Sequence, residues 1–221
     1  MAGETIKSEA ICLRIIPWSQ TSHITQWLTP RGRVATVVKG AVRPKSAFLG
    51  QYDLNYTCEV VYYARAKGDL HALRECLPCQ LRAELRENYR ALVLSEYFRD
   101  TVGELAPSGP EAQEWYDLLA ASLDALLEPQ APLLPLLLDF ELKVLDLAGL
   151  APELEADAGA FVLRGERKLP VSNAVARCIR HPLGEKNAEI LLDAARVIGV
   201  FYSFHMDCAP DVRRTVLRMI S

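Results

Sequence analysis

The 221-residue chain is short of nearly every sequence signature that marks an enzyme. It has no P-loop, no glycine-rich dinucleotide turn and no G-x-S-x-G elbow, so the commonest signals for phosphoryl, hydride and acyl transfer are missing. Histidine is scarce, and His23, His71, His181 and His205 form no H-E-x-x-H or related ligand pattern. The opening MAGETIKSEA contains no apolar h-region, so no secretory leader is expected. The longest aliphatic run, residues 131–138, is broken by Pro132 and Pro135 and falls well short of the roughly 20 residues a membrane span needs. The six cysteines, Cys12, Cys58, Cys76, Cys79, Cys178 and Cys208, are too sparse for a disulfide framework. They sit mostly in apolar periodic segments and read as reduced thiols of a cytoplasmic protein. The most local absence is of acid: from Ala10 to Tyr52 there is no Asp or Glu.

That same stretch holds Arg14, Arg31, Arg33, Lys39, Arg43 and Lys45, six cations in a chain of formal charge −3. Charge runs in blocks: residues 1–80 carry net +4, 81–157 net −11 and 158–221 net +4. A basic block on an acidic protein has polyanions as its natural partners, whereas acids such as Glu153 and Glu155 in the middle block read as solvated surface. Pro30 and Gly32 make a turn, Arg33 to Ala41 alternates as a strand, and Pro44 lies in a short basic loop. Arg33 and Lys39 have equal parity and so share one sheet face. Cations spaced along a strand and loop can follow successive phosphates. Arg65 and Lys67 add two more in a later turn. Rings for base stacking are few: Trp18, Phe48 and Tyr52 are the candidates, while Trp27 reads as core. The bland alternative is a solvated basic face.

Five short strands are predicted, over residues 9–16, 22–28, 32–40, 53–63 and 69–76, the fourth placing Leu54, Tyr56, Cys58, Val60 and Tyr62 on one face. Without room for crossover helices they make a small antiparallel barrel, of OB or SH3-like type. Helical periodicity follows: Leu81, Leu85, Tyr89 and Leu92 begin one helix, Trp115 to Leu126 stripe a second, and Leu133 to Leu147 form a third that is apolar nearly all round. Gly149 is the expected stop of that third helix. Residues 152–184 read as irregular, with helix again over 187–206 and from Pro210 onward. The expected class is therefore α+β: a five-stranded antiparallel OB-fold barrel over residues 1–78, then an α-helical domain over 79–221 with an irregular insert at about 152–184.

Several of these strings resemble the RecO family of bacterial recombination mediators. The segment EAICLRIIPWSQTSHITQWLTPRGRVATVVKGAVRPKSAFLGQYDL carries the family's K-G-A-x-R-x-K-S string in a barrel context. Phe140-Glu141-Leu142, the Leu-Ala-Gly-Leu after it, and Tyr202 to Met206 resemble further family motifs. The resemblance implies an OB-fold plus helical domain, no enzymatic activity, and no cofactor. It also implies binding of single- and double-stranded DNA, annealing of complementary strands, and nucleoid association. It further implies work with RecR, and in many species RecF, to load RecA on DNA coated with single-stranded-DNA-binding protein. Arg213, Arg214 and Arg218 resemble the family's basic ending and form a candidate secondary site.

Two departures stand out. Many relatives carry a four-cysteine zinc module after the central helix, yet residues 150–168 contain no cysteine. Leu138 and Asp139 stand where relatives often have an Arg ahead of Phe-Glu, so a site for the acidic tail of single-stranded-DNA-binding protein would need Lys143 or the basic C-terminal segment. The competing hypothesis is a metal- or thiol-dependent enzyme. It would use Cys76-x-x-Cys79, completed by Cys178 and His181 or by His205 and Cys208, with the basic loop binding a phosphorylated substrate.

Overall fold

The computed structural model describes residues 4–65, 68–157, 160–164, 169–205 and 210–220. The chain divides into two compact units, Met1–Glu84 with Val102–Leu123, and Leu85–Thr101 with Asp124–Ser221.

In the first unit, β1 (Glu4–Pro17), β2 (His23–Thr29), β3 (Gly32–Val38), β4 (Thr57–Ala64) and β5 (Leu70–Gln80) close in the order β1-β2-β3-β5-β4. Four pairings are antiparallel; the fifth, β3 with β5, is parallel and begins at Ala35 opposite Leu70. This circuit is the OB-fold, which decides between the two barrels the strand count allowed. β1 is long enough to serve twice, pairing β4 from Glu4 to Ile11 and β2 from Ile11 to Pro17. A register shift between Cys12 and Arg14 bends it from one partner to the other.

Ala10, Cys12, Trp27, Val38, Cys58, Val60, Tyr62 and Leu73 fill the barrel. The buried indole and threonines are satisfied: Trp27 Nε1 donates to Thr36 Oγ1 (2.9 Å), which also bonds Thr25 Oγ1 (2.8 Å). Buried Arg82 ties the end of the β4–β5 pair, donating to Asn55 O (2.7 Å) and Thr57 Oγ1 (2.9 Å). β4 starts at Thr57 rather than Asp53, because Asn55 takes a positive φ of 66° and its N–H turns to Cys12 O (3.2 Å). Between β3 and β4 the chain runs as successive turns, including Arg43 N to Gly40 O (3.2 Å) and Ser46 N to Arg43 O (2.9 Å). The unit also takes in the last residues of α1 (Tyr89–Leu105) and most of α2 (Ala112–Ala125). The β2–β3 turn meets the loop between these helices closely. Gly109 N donates to Arg31 O (2.9 Å), and a Cβ on Gly32 (φ 120°) would lie 2.9 Å from Ser108 Cα.

The second unit is built on α3 (Leu133–Leu147), whose Leu137, Leu138, Phe140, Val144 and Leu145 are buried as its all-round apolarity predicts. Phe140 stacks on Phe98 of α1 with centroids 4.0 Å apart. Gly149 (φ 71°) ends the helix, and Leu150 N reaches back to Leu145 O (2.8 Å). The stretch expected to be irregular instead holds a three-stranded antiparallel sheet, β6 (Glu153–Asp157), β7 (Ala160–Arg164) and β8 (Leu169–Val171). It continues into α4 (Asn173–Arg180), capped by Ser172 Oγ, which accepts from Val175 N (3.2 Å). Strands of three to five residues are too short to print a period on the sequence. α5 (Ala188–His205) and α6 (Pro210–Ile220) complete the unit.

Candidate nucleic-acid interface

The outer face of β1, β2 and β3 is set by register. Arg14 lies opposite Gln26, which lies opposite Ala35, and both polar side chains are exposed. Trp27, Val34 and Val38 point into the barrel, so Arg33, Ala35 and Val37 of β3 point out, with Lys39 just beyond.

Lys39 opens onto a cleft of about 390 Å³ lined by Trp18, Ser19, Ser22, Val37, Lys39, Gly40 and Arg43. One wall is the β1–β2 loop, tightened by Trp18 N and Ser19 N donating to Ser22 O (2.9 and 3.2 Å). The other is the first turn after β3. Gly40 N donates to Ser22 Oγ (3.3 Å) and Val42 N to Thr21 O (3.3 Å), fastening the two loops together. Gly40 has φ 66°, and a Cβ there would lie 3.2 Å from Arg43 Cδ, so the glycine makes room for the Arg43 stem. Trp18 is 64% exposed, far more than a structural indole needs to be. No acid lines the cleft, and both cations are exposed. Lys45 is exposed two residues further on.

The remaining sequence-nominated cations lie elsewhere. The seven residues of β3 span roughly 20 Å, so Arg31 and Arg33 sit at the opposite end from Lys39. Arg33 is engaged: its Nη1 donates to Gly103 O (2.6 Å) and Glu104 O (3.4 Å), capping carbonyls that the C-terminus of α1 leaves open. Arg31 is exposed in the turn, near enough to Tyr62 to counter part of the rise that burial imposes on that phenol. Arg65 is exposed in the β4–β5 loop, with its N–H donating to His71 Nδ1 (3.3 Å). Lys67 lies outside the described residues. The candidates thus separate into a cleft group, a mid-face Arg14, and a far group.

Against this geometry stand the comparisons with known proteins. Residues 1–82 match the family model for the recombination protein O N terminal region, and residues 86–210 that for the recombination protein O C terminal region. The chain belongs to the recombination protein O family. It is similar to the DNA repair protein RecO of Prosthecochloris aestuarii, 24% identical over 172 residues, which are 77% of this chain and 64% of that protein. The RecO of Alkaliphilus metalliredigens is 28% identical over 151 residues, 67% of this chain and 60% of that one. The chain therefore spans under two thirds of the length of these two relatives. Against the RecO of Salinibacter ruber the identity is 25% over 244 residues, covering 97% of this chain and 94% of the relative.

Two sequence nominations need correction. Tyr52 is no stacking platform: it is 9% exposed in the barrel core, hydrogen-bonded to His23 Nδ1 (2.8 Å) and edge-on to Trp27. Phe48 is half-buried against the same core. Arg213, proposed as part of a basic surface, is 9% exposed and paired with Glu141, which is fully buried. Its Nε donates to Oε1 (2.6 Å) and its Nη2 to Oε2 (2.8 Å) and to Ala195 O (2.9 Å), while the Tyr97 hydroxyl donates to the same Oε1 (2.8 Å). Gly199 leaves the space this guanidinium fills. Arg214 and Arg218 are exposed. Lys143, the substitute cation for an acidic tail, pairs with Asp139 (2.8 Å).

The residues present do not fit the four-cysteine zinc module. Cys76 and Cys79 lie three apart on extended β5, so Cys76 turns toward the barrel and Cys79 toward solvent, and each thiol bonds a different carbonyl. Cys178 is buried, its pKa pushed up to about 11 by burial and then Glu185, while His181 is exposed. The His205 side chain and Cys208 lie outside the described residues. Among the described residues no three His, Cys, Asp or Glu side chains gather as a metal site.

Proposed function

We propose that the chain is a non-enzymatic mediator of DNA repair and recombination. It holds single- and double-stranded DNA on the barrel, residues 1–78, anneals complementary strands, and works with RecR to load RecA on DNA coated with single-stranded-DNA-binding protein. RecF and the tail of single-stranded-DNA-binding protein are further partners of this reading. The protein acts in the cytoplasm at the nucleoid. The observation that carries it is the acid-free cleft in which Lys39 and Arg43 flank an exposed Trp18 on an OB-fold face. Family membership and the relatives' name, DNA repair protein RecO, support the same direction. Annealing needs no covalent chemistry, only neutralisation of two backbones held close together.

The thiol-enzyme reading is disfavoured. Cys76 and Cys79 diverge along β5, one packed toward the barrel and the other exposed, so the pair does not converge on a common ligand or substrate.

The test is a salt titration of oligonucleotide binding followed by fluorescence anisotropy. With Arg14, Lys39, Arg43 and Lys45 on phosphates, the log–log slope for single strands should be about −3, at about −0.7 per contact. Replacing all four by Ala should flatten it with an unchanged unfolding midpoint. A slope that survives the replacement removes this face from the reading.

A further inference from the structure

The cleft's construction says more about its ligand than charge alone, on the premise that the barrel binds nucleic acid. Its two walls are stapled by the Gly40–Ser22 and Val42–Thr21 hydrogen bonds, so the backbone that carries Trp18, Lys39 and Arg43 is held in place without a ligand. At about 390 Å³ the space is near the small end of ligand clefts, the scale of one nucleotide unit rather than of a stacked pair of strands. The Trp18 ring is the large apolar surface it offers, and the two cations are its only charges. Polar groups that could read a base edge are nearly absent: there is no Asn, Gln, Asp or Glu in the lining, and Ser22 Oγ already accepts from Gly40.

We propose that the cleft is a seat for one unpaired nucleotide, whose base stacks on Trp18 while Lys39 and Arg43 hold the phosphates on either side of its sugar. A base inside a duplex has both faces covered by its neighbours and cannot reach the indole without being unstacked, so the seat selects single strands. With so few base-edge partners it discriminates little between bases. Gly40 belongs to the seat as a positioning residue, because its missing Cβ lets the Arg43 stem lie across it.

The experiment uses the full chain with a short poly-dT strand and a hairpin duplex. Trp27 and Trp115 are buried, so Trp18 is the one exposed indole of three and dominates quenching by added ligand. Poly-dT should quench that emission and the duplex should not. Trp18→Ala should weaken poly-dT binding about 5- to 150-fold, as expected for loss of one stacked base, and leave duplex affinity and the salt slope alone. Lys39→Ala with Arg43→Ala should instead make the single-strand slope shallower by about 1.4. A Trp18→Ala protein that binds poly-dT as tightly as before, or loses single- and double-strand affinity equally, overturns the seat while DNA binding stands. A wild-type protein that binds neither probe overturns the premise itself.

Discussion

Arg33 sits on the outer face of β3 in a stretch without acids, and by sequence it is indistinguishable from Lys39. The difference lies 70 residues away, where the last turn of α1 leaves carbonyls open that the Arg33 guanidinium fills at 2.6 Å. Cations near a helix C-terminus are favoured by the partial negative charge there, an exposed contact of this sort contributing about 1 kcal/mol. Arg33→Ala should therefore lower the urea midpoint by an amount equivalent to about 1 kcal/mol and leave the DNA salt slope within error. Lys39→Ala should do the reverse. Finding that Arg33→Ala flattens the slope as much as Lys39→Ala would return Arg33 to the DNA contact set. Tyr52 teaches the same lesson from the other side: it lies in a loop, where no strand parity tells whether a ring points in or out.

At the level of elements, what was legible followed from periodicity. The β4 alternation placed Cys58, Val60 and Tyr62 inward as observed, and the all-round apolarity of α3 marked it as central. What periodicity cannot carry is distance: Arg31 and Arg33 lie at one end of β3, Lys39, Arg43 and Lys45 beyond the other, and Arg14 on β1. Nor does it expose a pairing between helices. Glu141 is one of three acids in the apolar α3 and Arg213 one of three arginines in α6, yet together with Tyr97 and Ala195 they join α3, α6, α1 and α5. Removing one partner of such a buried pair strands the other charge, at a cost of about 3–5 kcal/mol. Glu141→Gln should thus destabilise the second unit by that order in urea unfolding. The joint change Glu141→Met with Arg213→Leu should recover most of the loss. If Glu141→Gln unfolds at the wild-type midpoint, the pair is not what fastens α6.

On the scale of the whole molecule, the formal charge of −3 says little about either unit, because the blocks of opposite sign cancel in the sum. The buried titratable groups are more informative, since their shifts run one way. Burial raises the phenols of Tyr52, Tyr62, Tyr97 and Tyr116, the last also bonded to the Glu9 carboxylate. The thiols of Cys58 and Cys178 are raised as well, Cys58 first by its side-chain hydrogen bond with Cys76 and then by burial, Cys178 first by burial. A group whose folded pKa exceeds its unfolded value keeps its proton in the native state after the unfolded chain has lost it. Native stability is then full below the unfolded pKa and declines as pH rises beyond it. The decline should begin near pH 9 with the thiols and steepen past pH 10 with the phenols, by on the order of 1.4 kcal/mol per pH unit for each group past its unfolded value. Urea midpoints followed by circular dichroism should be level from pH 7 to 8 and fall steeply between pH 9 and 11. Cys58→Ala should make the decline between pH 9 and 10 shallower once its packing loss is allowed for at pH 7. A midpoint that stays level to pH 11 would mean that these phenols and thiols reach solvent in the native state, and the two cores would have to be looser than their burial indicates.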